Sequence, residues 1–362
     1  MDSKINSETI VSHYSSKQST ITIGHGIFNF LVRLLPYSKW DVIGAIISDR
    51  VYLLHRQTID DSLQEINACI KGYDDTEYNK SYAYAESYFN YLLHNQFSRK
   101  SLLIGIGGGV TTDFTGYLAS SYMRGIDVVY VPTTLLAMVD ASIGGKVAVN
   151  IEAGKNIIGH FHQPDYIIVD TGFLTTLPVE EWKCGMSEAV KHAIIGDSSS
   201  LNLFLRREVS IGNVNESLYH CVKNSVHFKA NIVEQDEFEK NIRSILNYGH
   251  TVGHAIESVF HYTLSHGEAV AVGMLVESYI SMKMGMPQED FELIKELLLY
   301  YKLLPNISFS TSDIINHMQY DKKNIKGTIL FVLLEKVGKP VIGKEVPGTL
   351  ITEALNYYLT MV

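Results

Sequence analysis

SLLIGIGGGVTTDFTGYLASSY, residues Ser101 to Tyr122, is an apolar run that breaks on Gly107, Gly108 and Gly109 and resumes at helical spacing. The run from Ser101 to Ile106 has no polar face, which is the pattern of a parallel strand covered on both sides. Strand, glycine turn and helix start in that order let backbone amides approach a phosphate at the positive end of a helix. GGGVTTD is not the GxGxxG fingerprint, and tight turns after strands use glycine for their own reasons. The neighbours add weight. DVIGAIISD (Asp41 to Asp49) is a second buried strand ending in an acid, and DVVYVPTT (Asp127 to Thr134) is a third, after Arg124. Asp49 and Asp113 are candidate acceptors for ribose hydroxyls, and Thr133 and Thr134 end a strand where ligands bind in open sheets. A helix cap or a turn residue is the plainer reading of each. Ser19 to Ile23 reads as another strand and Ile27 to Leu35 as an amphipathic stretch. Strands alternating with helices predict an open α/β sheet over roughly the first 170 residues.

A chain of 362 residues exceeds what one hydrophobic core serves, so two domains are expected. A net charge of −9 argues against nucleic-acid binding, which rests on phosphate neutralisation. Cys69, Cys184 and Cys221 are odd in number and lack CxxC spacing, which fits a reducing compartment. The polar N-terminal residues and the short apolar runs predict a soluble, cytoplasmic protein with no membrane contact.

Beyond Leu177 and Pro178 the pattern turns helical, and the join falls near Asp170 to Pro178. NYGHTVGHAIESVFHYTLSHGE (Asn247 to Glu268) sets His250 and His254 four apart, on one helix face, and a third histidine, His266, follows in His-Gly-Glu. Imidazoles suit zinc, and a catalytic metal takes three protein ligands with one position left open. Any helix face offers a pair at that spacing, so hydrogen-bonded surface histidines are the alternative. Glu188 and Lys191 share a face of SEAVKHA; a simple ion pair explains them, and Glu188 also completes a two-histidine, one-glutamate set. ASIGGKVAVNIEAGKN carries Lys146, Lys155 and Asn156 among glycines, which suits an anion, and Arg124 and Arg243 offer fork-shaped donors. Methionines and tyrosines along the helices read as core.

Together these residues point to a nicotinamide-type cofactor, a metal and an anion site, and they resemble the 3-dehydroquinate synthases among the sugar phosphate cyclases. The similarity runs through GIGGGVTTDFTGYLAS, RGIDVVYVPTTLLAMVDASIGGK, GKNIIGHFHQP, FLTTLP, GMSEAVKHAII, DEFEKNIRSILNYGHTVGHAIE, SHGEAVAVGM and DKKNIKG, or about Ser101 to Gly327. It implies a nucleotide-binding α/β domain with a Rossmann-like open sheet (1–177) and an all-α metal- and substrate-binding domain (178–362). By the same resemblance zinc, with cobalt as a substitute, falls on Glu188, His250 and His266, so that His254 faces substrate. NAD+ would contact Asp49, Glu77 and Lys80, then Gly108, Gly109, Val110 and Asp113. Further contacts to it are implied for Thr133, Thr134, Lys146 and Lys155, and for Phe173, Thr176, Leu177 and Glu181. The substrate would meet Asp140, Lys146, Asn156, Lys191 and Lys229 on one hand and Arg243, Asn247, His254 and Lys322 or Lys323 on the other. Arg124 is expected to reach the phosphate across a homodimer interface.

The implied reaction converts 3-deoxy-arabino-heptulosonate 7-phosphate to 3-dehydroquinate and phosphate, with NAD+ recycled in place. Val147, Ala148 and Met138 depart from the residues common at their positions. The rivals are sibling cyclases making 2-deoxy-scyllo-inosose, 2-epi-5-epi-valiolone or amino-dehydroquinate, and a metal-dependent polyol dehydrogenase, which would release NADH.

Overall fold

The computed structural model describes residues 7–152, 154–319 and 329–361. It divides into two compact units, residues 1–177 with 229–238 and residues 178–228 with 239–362. The sequence reading placed one break at 177; contacts assign the short segment 229–238 to the first unit.

In the first unit β1 (Ser7–His13) and β2 (Gln18–Gly24) form an antiparallel hairpin, and a short turn of helix, α1 (Leu31–Leu34), follows. β3 (Ile43–Ser48), α2 (Asp49–Glu65), β4 (Cys69–Tyr73), α3 (Tyr82–His94), β5 (Leu102–Gly107), α4 (Gly109–Ser121) and β6 (Asp127–Pro132) alternate as the sequence predicts. A hairpin outside the main sheet, β7 (Lys146–Ile151) and β8 (Gly154–Phe161), precedes β9 (Tyr166–Asp170). The seven-stranded sheet has the order β1-β2-β9-β6-β5-β3-β4, parallel except for β1 against β2. Every residue of β3 and β5 is buried, which is why both read as unbroken apolar runs. α4 lies so close to the sheet that a Cβ on Gly107 would stand 2.3 Å from the Thr111 hydroxyl. One on Gly116 would stand 2.1 Å from the Tyr130 hydroxyl.

The second unit holds α5 (Val179–Ile195), α6 (Ser198–Leu205), most of α7 (Glu216–Gln235), α8 (His250–Val259), α9 (His266–Lys283), α10 (Gln288–Tyr300) and α11 (Thr311–Gln319). An antiparallel hairpin, β10 (Leu330–Lys336) and β11 (Lys339–Glu345), and α12 (Gly348–Met361) complete it. The unit is therefore helical with one hairpin rather than purely helical: LFVLLEKVGKPVIGKE turns at Val337-Gly338, where φ is +81 at the glycine. α9 is the central helix; Gly267, its second residue, and Ala269 through Ser281 are all buried. A helix apolar on all sides is a core helix, and α5, α8, α10, α12 and β10 pack around it.

α8 crosses α9 on glycine. A Cβ on Gly273 would lie 1.8 Å from the Gly249 carbonyl oxygen and 3.0 Å from the Gly253 nitrogen. Backbone cannot give way as a flexible side chain does, so the single methyl of Gly273→Ala must pry the two helices apart. Overpacking of this kind costs about 1–3 kcal/mol or more, and urea unfolding of the variant should show a loss at or above the top of that range.

Candidate functional site

Three of the sequence-derived residues converge in the second unit. Glu188, on α5, is fully buried, and its Oε1 lies 3.6 Å from His250 Nε2 and 3.5 Å from His266 Nε2. One ligand atom from each of the three residues falls within 4.8 Å of the others. The far side of each imidazole is occupied: His250 Nδ1 meets the Tyr248 carbonyl at 3.2 Å, and His266 Nδ1 meets Glu257 Oε1 at 3.3 Å. Both partners are acceptors, so both Nδ1 atoms carry a proton and, in the neutral rings, both Nε2 lone pairs face the carboxylate. Lone pairs aimed at a buried anion repel unless a cation stands between them, and the donor set matches that of a catalytic zinc. The residues present thus fit a divalent metal.

Without metal, protons do that work. Burial opposes charge on His266, yet its contacts with Glu188 and Glu257 lift its pKa to about 10. Burial likewise favours neutral Glu188, but Lys191 above all, then His266 and His192, hold it far below the usual carboxylate range. Lys191, 1 % exposed, pairs with Glu188 one turn along α5.

The spacing of His250 and His254 does not make them the ligand pair. The His254 ring stands edge-on to His250 with centroids 5.2 Å apart and 6.4 Å from His266, outside the donor cluster. Arg243 is 3 % exposed on the short turn before α8, and Asn247 Nδ2 donates to Glu239 Oε1 at 2.6 Å. Glu181 lies in the first turn of α5. Lys322 and Lys323 lie outside the described residues.

In the first unit the residues picked out for a nucleotide gather at the carboxyl ends of the strands. Asp49 opens α2 at the end of β3, so close to β4 that a Cβ on Gly72 would sit 2.3 Å from its Oδ1. Gly108 caps α4 without any side-chain hydrogen bond, leaving the amides of Gly109 and Val110 at the positive end of the helix unclaimed by a cap. Thr134 Oγ1 accepts the Ala137 amide at 3.2 Å. The Thr133 hydroxyl is buried and has no hydrogen-bond partner among the described residues. Phe173 is buried edge-on to His55 at 5.0 Å, and Thr176 Oγ1 lies 2.7 Å from His55 Nε2, just before Leu177.

A polar network ties several of these together. Asn150 Nδ2 donates to Glu77 Oε1 at 2.7 Å, Asn150 Oδ1 accepts the Asn156 amide at 2.9 Å, and Lys80 Nζ donates to Asn156 Oδ1 at 2.8 Å and Asp113 Oδ2 at 2.5 Å. Asn156 is held in the left-handed region, φ +53. Lys229 Nζ donates to the carboxylate and the carbonyl of Asp140, at 2.5 and 2.6 Å, on a π-helical turn of the kind found at functional sites. Lys146 is exposed at the start of β7, and Lys155 is half-buried on β8. Of the departures, Val147 packs against Gly116 and Met138 is fully buried, an apolar residue in an apolar place.

The sequence reading missed Glu77's partner Asn150, and it missed Glu239, Glu257 and Glu277 around the metal candidates. A capping-box signature was available at Ser265-His266-Gly267-Glu268, and the structure has that box, which sets His266 at the first position of α9.

Burial raises the pKa of Asp113 against the pull of Lys80. A carboxylate raised in the folded state costs stability as pH climbs from its unfolded to its folded value. Lys80→Met removes the counter-charge and widens that interval. Unfolding by urea should then show a loss of about 2 kcal/mol at neutral pH and much less below about pH 4, where Asp113 is protonated in both states.

Sequence models described as 3-dehydroquinate synthase N-terminal and C-terminal match residues 72–184 and 185–324. A 3-dehydroquinate synthase of Thermodesulfovibrio yellowstonii is 39% identical over 336 residues, covering 90% of this chain and 92% of its own. One from Halalkalibacterium halodurans is 39% identical, covering 95% and 96%. Among solved structures, 2-deoxy-scyllo-inosose synthase complexed with carbaglucose-6-phosphate, NAD+ and Co2+ superposes with a TM-score of 0.86 at 25% identity, covering 97% of this chain and 99% of that one. Glycerol dehydrogenase from Schizosaccharomyces pombe shares the fold at a TM-score of 0.65 and 15% identity, covering 99% and 91%. With both halves matched and near-full-length relatives at this identity, the chain belongs to the 3-dehydroquinate synthase family.

Proposed function

We propose that this protein is a 3-dehydroquinate synthase, a lyase that turns 3-deoxy-arabino-heptulosonate 7-phosphate into 3-dehydroquinate and phosphate. The observation that carries the reading is the Glu188, His250 and His266 donor cluster in a chain 39% identical to synthases over nearly its whole length. Bound NAD+ supplies a hydride acceptor restored within each turnover, and bound zinc supplies a Lewis acid for the reacting hydroxyl. Gly108 to Val110, Asp113 and Thr133, at the carboxyl ends of β5 and β6, hold the nucleotide. Asp49, Glu77, Lys80, Thr134, Lys155, Phe173, Thr176, Leu177 and Glu181 complete its surroundings in this reading. Glu188, His250 and His266 hold the metal.

The remaining residues hold substrate and move protons. Lys191 and Arg243 are buried cations, suited to the carboxylate and phosphate ends of the substrate. Lys146, Asn156 and Lys229 with Asp140 add donors on the first unit, and Lys322 is assigned on the family pattern alone. His254 and Asn247 handle the proton at the reacting carbon and oxygens. Once the ring hydroxyl is a ketone, the neighbouring C–H is acidic and phosphate leaves by β-elimination, for which the substrate's own phosphate is a base. Ring opening and aldol closure then ask chiefly for positioning. We extend the reading to a homodimer: Met123 beside Arg124 is exposed, and so are Ile157, Ile158 and Phe161 on β8, which Ser121 reaches through His160 at 3.3 Å. Among the described residues no helix is long and apolar enough to cross a membrane, and we place the enzyme in the cytoplasm.

The test is phosphate release with catalytic NAD+ and zinc, followed together with NADH absorbance. Many phosphates per NAD+ without NADH build-up is the expected result; accumulating NADH would make it a polyol dehydrogenase. Inertness here combined with turnover of glucose 6-phosphate or sedoheptulose 7-phosphate would make it a sibling cyclase. His250→Ala should lose stoichiometric zinc, and its rate should drop by about a hundredfold or more. Zinc retained at full stoichiometry would remove His250 from the ligand set.

A further inference from the structure

Glu277 lies on the second buried turn from the end of α9 and has no solvent exposure at all. A glutamate in that position is rare unless its charge is answered. Its carboxylate is turned toward the start of α8. Oε2 accepts the Gly249 amide at 2.7 Å, and Oε1 accepts the Val252 amide at 3.3 Å. Gly249 is the cap residue of α8, at φ +82, and no side chain of its own segment caps that end. Val252 is the third residue into the helix. These two amides are the ones a capping box satisfies from within the same helix. Here a neighbouring helix supplies the acceptor, and its negative charge sits on the positive end of the α8 dipole.

Between those two amides stands His250. Its orientation is fixed on the other side by the Tyr248 carbonyl at 3.2 Å. Tyr248 is itself tied to α9, its hydroxyl meeting the Met274 carbonyl at 3.2 Å and the Ser278 hydroxyl. One turn of α9 therefore sets both the direction in which α8 starts and the peptide that selects the ring tautomer of His250.

We infer that Glu277 is a positioning residue for the metal site, presetting the backbone of residues 249–252 so that His250 presents Nε2 to the cluster before any metal arrives. The inference rests on the assignment of Glu188, His250 and His266 as ligands. The glycine contact between α8 and α9 fixes their separation, and Glu277 fixes the rotation and entry of α8. Metal affinity depends on both, since a ligand that must be reoriented on binding gives up part of its binding energy.

The experiment titrates zinc into metal-free protein against a competing chelator. NAD+ binding and thermal unfolding of the metal-free form are measured alongside, for the wild type, Glu277→Gln, Glu277→Asp and His250→Ala. Glutamine keeps the volume but turns an N–H toward a backbone N–H; aspartate keeps the charge but is one methylene too short to reach both amides. Glu277→Gln should bind zinc about ten- to a hundredfold more weakly with NAD+ affinity unchanged, and Glu277→Asp should fall between it and wild type. A lower unfolding temperature with wild-type zinc affinity in either variant would overturn the inference, leaving Glu277 a purely structural group. Wild-type zinc binding by His250→Ala would instead discard the ligand assignment. The wild type gives an independent reading should the variants not fold: the amides of Gly249 and Val252 should be protected from hydrogen exchange in metal-free protein, and exchange at loop rates before zinc is added would overturn the preset arrangement.

Discussion

A carboxylate with no access to water is the constraint around which the second unit is built. Glu188 is fully buried, and an unanswered charge there would cost several kcal/mol. Lys191 answers part of it from the same helix, His266, its pKa raised against burial by Glu188 and Glu257, adds a proton from α9, and the His250 ring stands beside it from α8. Delivering those rings to one point is a problem of helix placement. α5 and the start of α9 touch where Gly267 has no side chain, its amide donating to Cys184 Sγ at 3.3 Å. α9 and α8 touch where Gly273 has none. Glu257 of α8 then reaches back to the His266 ring on α9. Each of the three helices is located by another of the three. Cys184, within this ring of contacts, is held inert as a thiol, since burial pushes its pKa up to about 12.

The first unit solves the opposite problem. Its polar residues satisfy one another through the chain from Glu77 to Asp113, so the carboxyl ends of the strands keep a settled shape. The amides at the start of α4 are left open by design of the sequence: glycine at the cap position offers no side-chain oxygen to compete with a phosphate.

Much of this was legible in the chain. Strands buried on both faces write themselves as unbroken apolar runs, so β3, β5 and β6 were visible in the runs that start at Asp41, Ser101 and Asp127, and the helical second half from its spacing. The pairing of His250 with His254 was the natural reading of one helix, and those rings do stand side by side, but the donor atoms that gather at Glu188 come from His250 and from His266 on the next helix, across a break that periodicity does not bridge; the family resemblance had implied that grouping. The β10–β11 hairpin was hidden in a segment whose apolar run is short enough to pass for a buried helical turn. Glu277 and Glu257 were invisible because nothing local distinguishes a glutamate that serves a neighbouring helix from one that faces water. The grouping of residues 229–238 with the first unit was equally beyond reach, since α7 shows no change of pattern at Lys229.

The glycine seam between α8 and α9 also bears on how such a protein changes over generations. Where backbone rests on backbone there is no side chain to vary, and a single added carbon at Gly273 meets the Gly249 carbonyl at 1.8 Å. His250 and His266, two of the three residues of the donor cluster, therefore sit on the helices that form the least adjustable part of the unit. Change by gradual substitution must enter elsewhere, through side chains such as His254, whose ring stands beside the cluster without setting the spacing of the helices that bear it.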